Sequence, residues 1–413
     1  MEYGLIGEHL PHSFSQVVHG KIAPYNYILK ELTPEALSGF LTEADFKAVN
    51  VTIPYKQAVI PYLYELDDRA KAIGAVNTIV NRDGRLYGYN TDFGGLLALA
   101  QRIGLDFAGK KVVILGTGGT SRTARGVAAA MGAREVIRVS RSGSEDAVTY
   151  RQAYLLHSDA DILINTTPCG MFPNAEACPV ELERFPQLEG VIDAIYNPLR
   201  TKLVRQAQAR GLKAEGGLYM LVGQAILAAE YFMDTRFDRS RFDEIYDSIA
   251  AEKENLVLTA MPGGGKSTIG ALLSELTGRP LVDTDARIVE KAGMEITEIF
   301  AKYGEEHFRR LETEVIRELS ALNGQIIATG GGAPMRPENV DALRSNGRIF
   351  FLDRPLAELL PTDDRPLANS ADKIRALYAQ RYDTYCRTAD VILPVTGTPQ
   401  ETAQKLLESW NEL

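Results

Sequence analysis

The sequence predicts an α/β protein built on parallel sheets, and three observations carry that expectation. A strand, a glycine turn, a helix and a second strand follow one another over residues 109–141. The same order restarts near residue 255, again with a glycine-rich turn between strand and helix. The length of 413 residues exceeds what one hydrophobic core usually holds, so two to three domains are expected.

The elements follow in chain order. Residues 1 to about 92 mix short apolar runs, "YGLIG", "AVNVTIP" and "AVNTIVN", with helical stretches, which reads as a first α/β region. From Gly109, "KKVVILG", a glycine turn, "TSRTARGVAAAMG" and "EVIRVSR" make the first half of a Rossmann-like unit. "DILINTT" and "GVIDAIY" are further buried strands, and "YMLVGQAILAAEYFM" (219–233) is a helix. A charged, helix-compatible stretch then places a domain boundary near 248–254. Beyond it, "NLVLTA" leads into a second glycine loop and a helix with Gly278 and Pro280 as stop signals. Strand "PLVDTD", a helix, and an apolar stripe of Phe308, Leu311, Val315, Ile316, Leu319 and Leu322 come next. Strands "IIATGGG" and "RIFFLD" complete the expectation of another parallel sheet.

Composition narrows the function. Hydrophobic content of 45% and charged content of 24% are those of an ordinary globular protein. A net charge of −9 gives no general attraction for nucleic acid or anionic membrane, so anionic ligands need local basic sites. Cys169, Cys178 and Cys386 form no C-x-x-C pair, and His9, His12 and His19 have no carboxylate arranged with them. No basic leader and no apolar run of membrane-spanning length is present in the sequence. The expectation is a reduced, cytoplasmic, soluble chain without nucleic-acid or membrane partners. Oligomeric state is not legible.

In the first loop, Gly116, Gly118 and Gly119 let the strand turn sharply and let helix amides approach a pyrophosphate. Ser121 stands where a third glycine would complete the dinucleotide pattern. The following strand ends in Ser140, Arg141 and Ser142, which suits a ribose 2′-phosphate and therefore NADP(H), with nearby Glu145 opposing it. The second loop, "TAMPGGGKSTIG", has Ala260 in place of the first glycine of a P-loop. Gly263, Gly264 and Gly265 supply the amides, Lys266 reaches the terminal phosphates of ATP, and Ser267 with Thr268 follows, Ser267 facing Mg²⁺. Ala260 matters only if its backbone sits at positive φ, where a Cβ costs on the order of 1 kcal/mol.

The motifs "HSFSQVVH", "NVTIPYK", "GAVNT", "YNTD" and "GGLYMLVGQA" resemble shikimate dehydrogenases in order and spacing, over about residues 1–250. The resemblance implies a discontinuous substrate domain, 1–92 with 217–250, around an NADP domain over 93–216. It implies substrate contacts at Ser13, Ser15, Thr52, Asn77 and Gln224, and a catalytic pair at Lys56 and Asp92. Tyr196 and Gly217 match positions near substrate and nicotinamide, while Gln16 stands where the family usually has proline. Reduction of a ketone needs a proton delivered to the developing alkoxide, which a positioned lysine supplies and a carboxylate tunes. Read alone, Lys56 is a strand-end lysine and Asp92 a helix cap.

Residues 251–413 are similar to shikimate kinases through "VDTD", "GEEHFRRLE", "TGGGA", "RPL" and "RYDTYCRTAD". That resemblance implies Asp283 at Mg²⁺ and Asp285 at the shikimate hydroxyls, assisting the attacking oxygen. Arg309 and Arg381 would grip the carboxylate, with Gly331 and Gly332 against the ring and Arg365 in the lid. The lid segment "LAELLPTDDRPLANS" is short and acidic, with Pro361 near the place of an arginine by the adenine. Bland readings are helix caps for Asp283 and Asp285, a solvated face for Arg309 and a plain turn for "TGGGA".

Together the resemblances imply a bifunctional enzyme of aromatic amino-acid biosynthesis. One half makes shikimate from 3-dehydroshikimate, and the other phosphorylates its 3-hydroxyl with ATP. The rivals are a quinate-preferring NAD dehydrogenase, an inactive or regulatory nucleotide module, and a different small-molecule P-loop kinase.

Overall fold

A computed structural model describes residues 1–10, 13–359 and 370–412. It divides into two units, Met1–Ala250 and Ala251–Leu413. Among the described residues, no helix is long and apolar enough to cross a membrane.

The first sheet of the first unit holds β1 (Tyr3–Gly7), β2 (Tyr27–Glu31), β3 (Ala48–Val51), β4 (Glu65–Leu66), β5 (Thr78–Arg82) and β6 (Arg85–Tyr89), in spatial order β2-β1-β3-β5-β6-β4. β2, β1 and β3 are parallel, whereas β5 pairs antiparallel with both β3 and β6. Helices α1 (Ser15–Ile22), α2 (Pro34–Glu43), α3 (Asp68–Ile73) and α4 (Asp92–Arg102) accompany it. Ile6, Val49, Val51 and Ile79 are buried against α2 residues Leu37 and Leu41, as continuous apolar strands require.

The second sheet is parallel throughout. It comprises β7 (Lys111–Leu115), β8 (Glu135–Ser140), β9 (Val148–Thr149), β10 (Ile162–Asn165), β11 (Gly190–Asp193) and β12 (Lys213–Glu215), ordered β12-β11-β10-β7-β8-β9. Helices α5 (Gly119–Ala130), α6 (Tyr150–Leu156) and α7 (Lys202–Ala209) alternate with the strands. The chain runs outward from β7 to β9, then returns to run outward from β10 to β12. The crevice between the carboxyl ends of β7 and β10 is therefore the topological switch point, where parallel sheets bind ligands. Helix α8 (Leu218–Met233) leads back to the first sheet, and α9 (Ser240–Lys253) follows it. A Cβ on Gly95 of α4 would stand 2.9 Å from the Gln224 nitrogen, so this glycine lets α4 lie against α8.

The second unit has one parallel sheet of β13 (Asn255–Ala260), β14 (Leu281–Asp283), β15 (Ile326–Ala328), β16 (Gly347–Asp353) and β17 (Val391–Pro394), ordered β14-β15-β13-β16-β17. Its helices are α10 (Lys266–Thr277), α11 (Thr284–Ala292), α12 (Ile296–Tyr303), α13 (Glu305–Ser320), α14 (Pro337–Asn346), α15 (Ala371–Thr388) and α16 (Pro399–Asn411). Gly278 caps α10 at φ 70°, the left-handed conformation that its stop signal implies. Two local expectations shift. Leu322 lies beyond α13 and is 49% exposed, so the apolar stripe ends at Leu319. "PLVDTD" is strand only to Asp283, because the Asp283 carboxylate accepts the Asp285 and Ala286 amides and starts α11 there.

Candidate active sites

In the first unit, Lys56 follows β3 and Asp92 opens α4, and the lysine Nζ donates to Asp92 Oδ2 at 2.6 Å. Both side chains are largely buried, at 14% and 8% exposure, so the pair is shielded from solvent. Thr91 N donates to Asn77 Oδ1 at 2.7 Å, and Asn77 Nδ2 donates to Thr91 Oγ1 at 3.0 Å and Gln224 Oε1 at 3.3 Å. Residues at β5, α4 and α8 thereby meet in one buried polar cluster. Asn50 and Thr78 continue it, with Asn50 Nδ2 donating to Thr78 Oγ1 at 3.1 Å. Ser15 N donates to Ser13 Oγ at 3.2 Å at the start of α1. Burial pushes the Tyr196 hydroxyl up, opposed by its hydrogen bond with Ser13, which brings the β11 loop to α1. Thr52 N is tied to Ile6 O at 2.9 Å beside the same strand ends.

The glycine turn lies close to that pair. A Cβ on Gly119 would stand 3.4 Å from Lys56 Cδ, so the first residue of α5 carries the stem of the lysine against the cofactor loop. Gly116 is at φ 109°, and a Cβ there would lie 2.7 Å from Thr166 Oγ1 of the β10 loop. Gly118 has open space on its Cβ side, the approach a pyrophosphate needs. Gly217 caps α8 and donates to Ile195 O at 2.8 Å, while a Cβ there would collide with Ala194 O. Ser140 ends β8, and Arg141 and Ser142 are exposed beside it. Arg141 makes no hydrogen bond or ion pair among the described residues, leaving its guanidinium available to an anion.

Arg138 was not legible as a site residue. Its buried guanidinium donates to Thr117 O at 2.8 Å and Ser121 Oγ at 3.2 Å, bracing the glycine turn from below. Burial lowers its pKa, and the nearby Arg125 and Arg122 add to that lowering. The loop is thus cationic within an acidic protein, which fits a pyrophosphate. Ser121 Oγ donates to Gly116 O at 2.7 Å, the closure that explains a serine in the third-glycine place.

In the second unit the phosphate loop runs from the end of β13 to the start of α10. Gly263 and Gly265 take φ of 78° and 93°, conformations that favour glycine. A Cβ on Gly264 would lie 2.7 Å from Ala260 Cβ and 2.9 Å from Met261 O. Ala260 itself is a strand residue and is absent from the non-glycine residues at positive φ among the described residues. It therefore brings no backbone strain. Lys266 Nζ donates to Ala260 O at 3.3 Å, with Ser267 and Thr268 in the same first turn of α10. Ser267, with the Asp283 carboxylate at the head of α11, offers the oxygen donors that Mg²⁺ prefers.

The "TGGGA" loop is more than a turn. A Cβ on Gly330 would lie 2.5 Å from Asp285 Oδ1 and 2.9 Å from Glu312 Oε1, so the loop backbone presses on both carboxylates. Gly331 O accepts from Arg381 Nη1 at 3.0 Å and from Tyr385 Oη at 2.6 Å. Gly332 lies directly against the Arg309 guanidinium, leaving no room for a side chain. Arg309 pairs with Glu312 at 2.9 Å and Glu305 at 3.1 Å. Burial pushes the Glu312 carboxyl up and Asp285 adds to that, while Arg309 opposes both. Arg381 is lowered by burial first, with neighbouring Arg309 contributing. Arg309 of α13 and Arg381 of α15 thus both border the "TGGGA" loop, Arg309 paired with glutamates and Arg381 hydrogen-bonded to the Gly331 carbonyl, and guanidinium groups so placed can take a substrate carboxylate. Arg365 and Pro361 lie outside the described residues. Glu312, Gly330 and Tyr385 join the site from the structure alone, since only the fold brings them to Asp285 and Gly331.

Comparison with known proteins assigns both halves. The family model for the shikimate dehydrogenase substrate binding domain matches residues 5–79, and that for shikimate kinase matches residues 262–411. A shikimate dehydrogenase (NADP(+)) of Clostridium perfringens (strain SM101 / Type A) is 35% identical over 265 residues, covering 60% of this chain and 97% of that protein. One from Geobacillus kaustophilus (strain HTA426) is 38% identical over 266 residues, covering 59% and 96%. Shikimate dehydrogenase 1 from Peptoclostridium difficile matches with a TM-score of 0.56 at 37% identity, over 60% of this chain and 98% of that one. Shikimate 5-dehydrogenase from Thermus thermophilus, solved in complex with NADP(H) and shikimate, matches at 0.54 and 30% identity, over 60% and 99%. The chain belongs to the shikimate dehydrogenase family through its first unit and carries a shikimate kinase domain in its second.

Proposed function

We propose that the chain performs two consecutive steps of the shikimate pathway. The first unit reduces 3-dehydroshikimate to shikimate, and the second phosphorylates the shikimate 3-hydroxyl. Within the first unit, residues 1–92 with 217–250 hold the substrate and 93–216 hold NADP(H). The observation that carries this reading is the Lys56–Asp92 pair at 2.6 Å beside the α5 glycine turn.

NADPH supplies the hydride when bound. Lys56 Nζ delivers the proton to the developing alkoxide, and Asp92 orients the ammonium toward it. Ser13, Ser15, Thr52, Asn77, Tyr196 and Gln224 hold the carboxylate and hydroxyls. Gly116, Gly118 and Gly119 receive the pyrophosphate, Ser140, Arg141 and Ser142 the 2′-phosphate, and Gly217 the nicotinamide side.

In the second unit, Asp285 accepts the proton of the attacking hydroxyl, while Arg309 and Arg381 grip the substrate carboxylate and Gly331 and Gly332 lie against the ring. Gly263 to Thr268 hold the phosphates of ATP, with Lys266 and Arg365 drawing off the developing negative charge. Mg²⁺, held through Ser267 and Asp283, neutralises the phosphates when bound. The expected compartment is the cytoplasm, where the three free cysteines stay reduced.

The test is ADP production by the purified chain with MgATP, with and without shikimate, beside NADP⁺ and NAD⁺ reduction with shikimate and with quinate. Shikimate-dependent ADP and a preference for NADP⁺ with shikimate are expected. ADP formation indifferent to shikimate would contradict the kinase assignment, and a preference for quinate would contradict the dehydrogenase substrate.

A further inference from the structure

A guanidinium reaches the phosphate loop from the neighbouring strand. β13 and β16 pair in parallel with Ala260 opposite Leu352, so the residues after Leu352 emerge beside the loop that follows Ala260. Arg354 is the second of them. Its Nη2 lies 3.6 Å from the point where a Cβ on Gly265 would stand, and among the described residues it is the one neighbour within 4 Å of that point apart from the adjoining stretch of chain. Gly265 is the N-cap of α10, immediately before Lys266, where the first-turn amides and the helix dipole favour an anion.

Arg354 is also poorly compensated where it stands. Its side chain is 29% exposed, and its carboxylate neighbour among the described residues, Glu358, is 3.9 Å from Nη1. That separation is too long for a hydrogen bond. The Nε is buried and has no acceptor among the described residues. Burying a donor of a charged group without a partner is unfavourable, and a phosphate supplies the two-oxygen acceptor that a guanidinium matches. Lys266, by contrast, already donates to Ala260 O at 3.3 Å from within the loop.

We propose that Arg354 binds a phosphate of the nucleotide, as a second cation at the loop beside Lys266. The ligand class is a nucleoside di- or triphosphate. The inference rests on reading the second unit as a nucleotide-dependent kinase, and it adds a residue that the loop motif does not contain.

Calorimetric titration of the full chain with MgADP tests it, using wild type, Arg354→Ala and Arg354→Lys, alongside shikimate titration and NADP⁺ reduction. Arg354→Ala should weaken MgADP about tenfold or more, and Arg354→Lys should recover part of that loss. Raising ionic strength should weaken wild-type binding more steeply than that of Arg354→Ala, because a charge contact has been removed. Shikimate binding and NADP⁺ reduction should be unchanged. MgADP binding by Arg354→Ala within about twofold of wild type would overturn the assignment. So would an equal loss of shikimate binding, which would mark a structural role. A wild-type chain that binds no MgADP would remove the nucleotide site altogether, whereas wild-type binding that survives Arg354→Ala removes Arg354 alone.

Discussion

Lys56 and Asp92 lie 36 positions apart in sequence and meet because the loop after β3 carries the lysine to the start of α4, where Asp92 stands. The proton-transfer role proposed for them gives an expected outcome at the scale of one side chain. Lys56→Ala should lower kcat for reduction by about 10²–10⁴, the usual worth of a positioned acid, and leave phosphorylation intact. Asp285→Asn should do the reverse, and separate assays of NADPH oxidation and ADP release read both. His19 adds a prediction about stability. It is fully buried, stacks on Tyr27 with ring centroids 3.9 Å apart, and burial holds it down to about 3. The folded chain thus keeps His19 neutral where the unfolded chain, titrating near 6.5, takes up a proton. Its contribution is complete above that pH and falls as pH drops toward 3, by about 1.4 kcal/mol per unit. Asp193 works the other way, since burial raises it to about 7, so stability is lost as pH rises from 3.8 to 7. Denaturant unfolding of wild type against His19→Asn isolates the histidine. Wild type should lose about 2 kcal/mol relative to the variant between pH 6.5 and 5.

The two glycine loops were legible in sequence because their chemistry is local. A strand, a turn and a helix fix where amides point, and glycine is favoured where φ is positive and needed where the backbone is too crowded for a Cβ. Gly264→Ala should therefore abolish MgADP binding, since its Cβ would meet Ala260 Cβ at 2.7 Å and Met261 O at 2.9 Å. Ala260→Gly should change MgADP affinity less than about twofold, because the strand conformation gives glycine no advantage there. Side chains that act across elements were not legible. Arg138 reads as an alternating strand residue until β8 sets it beneath the turn between β7 and α5. Glu312 reads as a polar interruption of the α13 stripe, until Gly330 of the β15 loop is brought against it. Arg138→Ala should raise KM for NADPH about tenfold with little change for shikimate, as measured by initial rates.

At the scale of the molecule, the parallel sheets, the restart of the α/β pattern and the two resemblances were all readable from order and spacing. The extent of each strand was not. Asp283 cuts β14 short by capping α11, a choice made by one carboxylate rather than by apolar periodicity. The two units carry separate chemistry, so chelation should separate them. EDTA should stop ADP formation and leave reduction of 3-dehydroshikimate by NADPH unaffected, since in the proposed mechanism the proton of that step comes from Lys56 and the hydride from NADPH. The most direct measurement places the purified chain with 3-dehydroshikimate and MgATP, with NADPH added or withheld, and follows ADP. ADP should appear only when NADPH is present, in step with NADPH oxidation, because the second unit acts on what the first one makes. ADP formation that proceeds equally without NADPH, or no ADP while NADPH is consumed, would contradict the assignment of two consecutive steps to this chain.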